Sequence, residues 1–155
     1  MSDVFESYLR NVLAAAASTD PWGVRVLDGN KHAPAGAAKK NLLDSGVAHE
    51  ATPDIVLTAG PTRQPDHRLL IEVKYKPAKS TVDRDDLNQT LAYGVSYRTP
   101  EVFVVQPRAG GGAIGGLRSL GTLAGMNISL YVFDLDAPDL EEEERRFVQV
   151  IRDRS

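Results

Sequence analysis

The sequence contains no cysteine, which excludes a disulfide framework, a thiolate zinc site and a cysteine nucleophile. It has no run of 18 apolar residues and no basic N-terminal stretch leading into an apolar one. Neither a membrane span nor a secretory leader is therefore expected, and the expected location is the cytoplasm. Positive charge is not in excess: 18 Lys+Arg face 21 Asp+Glu, for a net charge of -3, which argues against tight non-specific binding to nucleic acid through phosphate neutralisation. The three histidines, His32, His49 and His67, lack the spacing of zinc ligands. The glycines at 110–112 and 115–116 match neither GxxxxGK[ST] nor GxGxxG, so no phosphate cradle is read there.

What is present is the composition of a folded chain. With 155 residues, 42% hydrophobic and 25% charged, it can bury roughly 70% of the surface it exposes when unfolded, enough for one core without staples. A single domain over residues 1–155 is expected. Phe5, Tyr8, Leu9, Val12, Leu13 and Ala16 recur at helical spacing, predicting a helix over 2–17 with Ser2 as a possible N-cap. A short strand is expected over 22–27, then a loop over 28–40. Residues 54–58 and 69–75 are apolar, β-branched runs separated by a Gly/Pro-rich turn, and read as neighbouring antiparallel strands in the interior of a sheet covered on both faces. A second helix is expected over 83–97, with Leu87, Leu91, Val95 and Tyr97 as its apolar positions, halting before Pro100. Strands at 102–105 and 128–133 follow, with a flexible glycine-rich loop at about 107–116 and a short edge strand near 117–120. A last helix begins near Asp136 or Pro138, its early Glu141 to Glu144 and later arginines matching the helix dipole. The order, roughly αβββαββα, predicts an α/β fold, a sandwich of helices about a central mixed sheet.

The oddity is charge within the two best strands, because a buried Asp or Lys without a partner is costly. Side chains alternate along a strand, so Glu72, Lys74 and Lys76 share one face while Ile71, Val73 and Tyr75 share the other. If 52–58 pairs alongside, Asp54 comes close to Glu72. Two converging carboxylates make a hard-oxygen site suited to Mg²⁺, or Mn²⁺ in its place, with Lys74 at the rim. The bland alternative is a structural ion pair between adjacent strands.

Pro53-Asp54 followed by Glu72-Val73-Lys74 resembles the signature of the PD-(D/E)xK nuclease superfamily. Gln89 and Tyr93, at i and i+4 of the next predicted helix, look like the QxxxY motif found in several of its families. Together with Phe5-Glu6 and the run Asp86 to Gly94, these segments resemble the nuclease domain of McrC, the cleavage subunit of 5-methylcytosine-specific restriction systems. The resemblance covers most of residues 4–106 and implies a restriction-endonuclease-like α/β/α sandwich. It further implies a metal-dependent DNA endonuclease of restriction or antiviral defence, with catalytic Asp54, Glu72, Lys74, Gln89 and Tyr93. Asp54, Glu72 and Glu6 would hold the metal, and Lys76 and Arg84 would contact nucleic acid. Alternatives are a repair exonuclease or junction resolvase of the same superfamily, or a catalytically silent DNA-binding or assembly module. DNA is the implied partner. A homodimer is a further expectation, because one site cuts one strand, and a motor or recognition subunit is another. The chain as given has room for neither the further N-terminal region nor the GTP-driven motor of McrC-type systems. Lys31, Lys39, Lys40, Arg63, Arg68, Lys74, Lys76, Lys79 and Arg84 are expected to give a local basic surface despite the acidic total.

Overall fold

The structure is a computed structural model that describes residues 2–31, 36–37, 39–78, 81–108, 110 and 114–155. Helix α1 (Ser2–Thr19) opens the chain, with Ser2 as its first helical residue rather than its cap. Strand β1 (Arg25–Asp28) starts three residues later than expected, because Gly23 turns the chain at φ +84°. The two-residue strands β2 (Lys40–Asn41) and β3 (Glu50–Ala51) form a separate small ladder. Strands β4 (Ile55–Ala59) and β5 (Asp66–Val73) are antiparallel neighbours, as the sequence predicts, joined by a turn shorter than expected. Lys74 and Tyr75 lie just past the end of β5, though Lys74 N–H still donates to Val105 O at 2.9 Å.

Helix α2 (Arg84–Tyr97) leads to β6 (Glu101–Pro107), β7 (Gly116–Leu123), β8 (Met126–Phe133) and α3 (Leu140–Arg154). The main sheet has six strands in the order β1-β4-β5-β6-β8-β7. It is mixed: β5-β6 and β6-β8 are parallel, and β1-β4, β4-β5 and β7-β8 are antiparallel. Strand β7 is a full edge strand, longer than the four residues expected and running on to Leu123. Residues 109 and 111–113 of that expected loop lie outside the described residues, as do His32 and Lys79.

Period-two alternation divides the core into two layers. Ile55, Leu57, Leu69, Ile71, Val73, Phe103, Val105, Tyr131 and Phe133 face α1 and α3, where Phe5, Leu9, Leu13, Phe147 and Ile151 cover them. Val56, Leu70, Val102 and Ile128 face α2. The result is the expected α/β/α sandwich. Of the expected apolar positions of α2, Tyr97 is buried and Leu87 and Leu91 pack half-buried against the core, but Val95 is 60% exposed, and Asp86, Thr90, Tyr93 and Gly94 also point inward. Close approach decides this, since a Cβ on Gly94 would stand 2.7 Å from Val102 Cγ1. Helix α3 begins later than expected, capped by Asp139, whose carboxylate accepts from Glu142 N–H at 3.0 Å. No helix among the described residues is long and apolar enough to cross a membrane.

Candidate active site

Asp54 immediately precedes β4, and Glu72 is the penultimate residue of β5. The pairing Ile55↔Ile71 sets these strand ends side by side. Asp54 Oδ2 accepts from Val73 N–H at 2.7 Å, and Oδ1 accepts from Asn30 Nδ2 at 3.2 Å. Glu72 is 5% exposed, and its Oε1 accepts from Lys74 Nζ at 2.9 Å. Its Oε2 is buried and has no hydrogen-bond partner among the described residues. Such an orphaned carboxylate oxygen is expensive unless a ligand satisfies it.

Lys74 Nζ is the hub that joins the sheet to α2. It also donates to Gln89 Oε1 at 2.6 Å and lies 3.7 Å from Asp86 Oδ1. Gln89 Nε2 passes the chain on to Tyr93 OH at 3.0 Å, which stands 3.3 Å from Thr52 Oγ1. The helical i,i+4 spacing of Gln89 and Tyr93 is what lets one side chain hold the other while reaching the lysine.

The electrostatics follow from burial and from crowding of like charge. Burial, then the negative charge of Glu72, push Asp54 up to about 6, against the pull of Val73 N–H and Asn30. Burial also raises Glu72, with Lys74 opposing it. For Lys74, burial disfavours the ammonium, but Glu72, Asp86 and Asp54 outweigh that and hold its pKa above the usual lysine value. Lys74 is therefore held as a fixed positive charge in the pocket.

Glu6 reaches the same pocket from α1, where burial and Asp54 raise its pKa. Its Oε1 is bound to Arg10 Nη1 at 2.7 Å, and that nitrogen lies 3.2 Å from Asp28 Oδ2. Asp28, buried at the end of β1, accepts from Asn30 N–H at 2.9 Å. The sequence reading missed Arg10, Asp28, Asn30 and Asp86. Arg10 had a signal, its i+4 spacing from Glu6. Asp28 had only its place as the first residue of the predicted loop after the strand expected over 22–27.

Lys76 Nζ is 3.4 Å from Asp83 Oδ2 and 3.3 Å from Asp86 Oδ2, while Arg84 is exposed in the first turn of α2. Much of the expected basic surface is paired within the fold. Arg68 meets Asp66 at 2.8 Å, Lys31 lies 3.9 Å from Asp28, and Lys39 Nζ donates to Gly29 O at 2.7 Å.

As a donor set, Asp54 and Glu72 fit a hard divalent cation: both are carboxylates, Glu72 is buried and Asp54 half-buried, and Glu72 carries an oxygen with no partner among the described residues. Among the described residues, no three His, Cys, Asp or Glu side chains stand together as a ready-made metal cage.

No family model and no curated protein matches the chain. Among solved structures, it superposes on a chain of the half-complex from the tetradecameric assembly of Thermococcus gammatolerans McrB AAA+ hexamers with bound McrC, with a TM-score of 0.66. That match covers 97% of this chain at 16% identity, so it is a likeness of fold. This chain spans 33% of the length of that neighbour.

Proposed function

We propose that the chain is a metal-dependent deoxyribonuclease, an McrC-like DNA endonuclease of restriction or defence. The observation that carries this reading is the Lys74 ammonium fixed between Glu72 Oε1 and Gln89 Oε1, beside Asp54 at one end of the sheet. Three charged side chains in that arrangement suit the hydrolysis of a phosphodiester, in which a water oxygen bonds to phosphorus and a P–O bond breaks.

Mg²⁺, or Mn²⁺ in its place, held by Asp54 and Glu72 would polarise the phosphate and lower the pKa of a bound water. The remaining roles belong to the chain. Asp54 is aimed by Val73 N–H and Asn30, so its orientation is set before any ligand arrives. Lys74, protonated and fixed, stabilises the charge that grows on the phosphate oxygens and can pass a proton to the leaving oxygen. Gln89, braced by Tyr93, keeps the Lys74 ammonium directed at the pocket. Glu6 stands beside these groups, tied to Arg10. Lys76 and Arg84 line the approach as phosphate contacts. DNA is the substrate, and the 155 residues act as one nuclease unit. The McrB–McrC neighbour supports an AAA+ partner that supplies DNA binding and motion, and a second copy would provide a site for the other strand.

Supercoiled plasmid incubated with wild type and Lys74→Ala, in Mg²⁺, Mn²⁺ or EDTA, tests this. Nicking that needs metal and falls at least about 100-fold in Lys74→Ala is the expected outcome. If wild type leaves the plasmid intact and Mg²⁺ does not raise its Tm, the enzymatic reading fails and a silent binding module takes its place.

A further inference from the structure

Strands β5, β6 and β8 run parallel, so their C-terminal ends lie along one edge of the sheet. Glu72 and Lys74 occupy the β5 part of that edge. Beside them lies an open apolar niche of about 160 Å³, lined by Val4, Phe5, Tyr8, Tyr75 and Leu135. Its walls continue the elements that carry the pocket: Tyr75 follows Lys74, Val4 and Phe5 precede Glu6, and Leu135 stands just past the end of β8. Lys74 N–H still donates to Val105 O, so strand alternation persists and sends the two side chains to opposite faces, Lys74 to Gln89 and Tyr75 to Phe5.

Scattered apolar side chains on a surface need no explanation. This group differs in being gathered around one braced ring. Phe5, 4% exposed and fixed in the core, meets Tyr75 edge-on with ring centroids 6.1 Å apart, while Tyr75 itself is 40% exposed, Leu135 38% and Val4 69%. No lining side chain is charged, and the Tyr8 hydroxyl is already committed to Glu144. Next to a pocket built from carboxylates and an ammonium, the niche therefore suits a flat, uncharged group attached to a phosphodiester. A nucleobase is that group, one sugar away from the phosphate under attack. Inside an intact duplex both faces of a base are covered by its neighbours, so only a base that has left the stack can lie on Tyr75.

We infer that the niche holds one unstacked base of the strand being cut, with Tyr75 as its stacking platform, and that the substrate class of the pocket is DNA carrying an unpaired nucleotide beside the cut. This rests on the nuclease reading. Stacking uses the ring rather than the hydroxyl, and it is indifferent to base identity because every base has a π-face. The niche thus selects for strand shape and not for sequence, and it sets the scissile phosphate against Lys74 by gripping the nucleotide next to it.

Cleavage of one oligonucleotide sequence, single-stranded, fully paired, or paired except for one bulged nucleotide, tests it with Mg²⁺ and the full chain. Wild type is expected to cut the single strand and the bulged duplex with a kcat/KM at least about 10-fold above that of the paired duplex. Tyr75→Ala should lose that preference, Tyr75→Phe should keep it, and 5-iodouracil placed at the unpaired nucleotide should crosslink to Tyr75 on irradiation in EDTA. Equal cutting of paired and unpaired DNA, a preference that survives Tyr75→Ala, or no crosslink to Tyr75 overturns the proposal and leaves the nuclease reading intact. So does self-association of wild type that Tyr75→Ala abolishes, because the niche would then belong to a second copy. A wild type that cuts none of the three overturns the nuclease reading itself, and the proposal with it.

Discussion

Replacing Asp54 by Asn should stabilise the metal-free protein at neutral and higher pH. Asp54 is a strained anion: its carboxyl is raised from 3.8 to about 6 by burial and by Glu72. Protons bind the folded state more tightly than the unfolded one, so this group favours folding fully below about pH 4. That contribution disappears as pH climbs through about 6. At about 1.4 kcal/mol per unit of pKa, the ionised fold forfeits about 3 kcal/mol. Asn carries no charge, and its Oδ1 can still accept from Val73 N–H, the bond that Asp54 makes at 2.7 Å. Because Glu72 shares part of the repulsion, a gain of about 2 kcal/mol at pH 8 is the expected value, or about 4–8 °C in Tm. Urea and thermal unfolding of both proteins in EDTA from pH 3.5 to 8 measure it. The two stabilities should converge below pH 4. With Mg²⁺ the order should change, since an ion bound to the native state raises the wild-type Tm and leaves the variant where it was. A variant less stable than wild type at pH 8 in EDTA, or a gap equal at pH 3.5 and pH 8, would refute the argument.

Other substitutions separate the scaffold from the pocket. A Cβ on Gly29 would stand 1.9 Å from Pro53 O, so Gly29→Ala should displace the backbone that carries Asp54. It should cost about 3 kcal/mol in urea unfolding and abolish the Mg²⁺-induced rise in Tm. Gly94→Ala meets Met126 Sδ at 2.4 Å and Val102 Cγ1 at 2.7 Å, prying α2 from the sheet. A loss of about 1–3 kcal/mol by the same assay is expected. Asp139→Ala removes the cap of α3, remote from the pocket, and should lower stability by about 1 kcal/mol while the response to Mg²⁺ stays.

Much of the architecture is legible in the chain because it is written in periodicities. The 3.6-residue recurrence of Phe5, Leu9 and Leu13 marks α1, and the β-branched runs mark β4 and β5, whose antiparallel pairing brings Asp54 to Glu72. Glu72, Lys74, Gln89 and Tyr93 also come together, because strand alternation and the helical i,i+4 interval fix their directions locally. What the pattern hides is tertiary. Strand β7 carries Gly116, Ser119 and Gly121, poor strand formers that pair only because β8 offers an edge. The inward face of α2 is set by close contact at Gly94 and by Asp86, Thr90 and Tyr93 as well as by Leu87, Leu91 and Tyr97, and only the last three were legible as apolar positions. Asp28, Asn30 and Asp86 act through partners that no spacing along the chain could announce.

Some polar links of the pocket are local, Glu6 with Arg10, Glu72 with Lys74 and Gln89 with Tyr93, while others join distant segments: Asn30 to Asp54, Asp54 to Val73, Arg10 to Asp28 and Lys74 to Gln89. The hairpin of β4 and β5 can set Asp54 on Val73 and Glu72 on Lys74, but Arg10, Asn30 and Gln89 join them only when α1, β1 and α2 dock. The complete pocket therefore forms only when those elements dock on the sheet, and a chain with α1 or α2 detached lacks part of it. If the pocket cuts DNA as proposed, incomplete docking is itself a safeguard. Hydrogen exchange at the Val73 amide, the group that Asp54 holds, should report the hairpin part of that assembly directly.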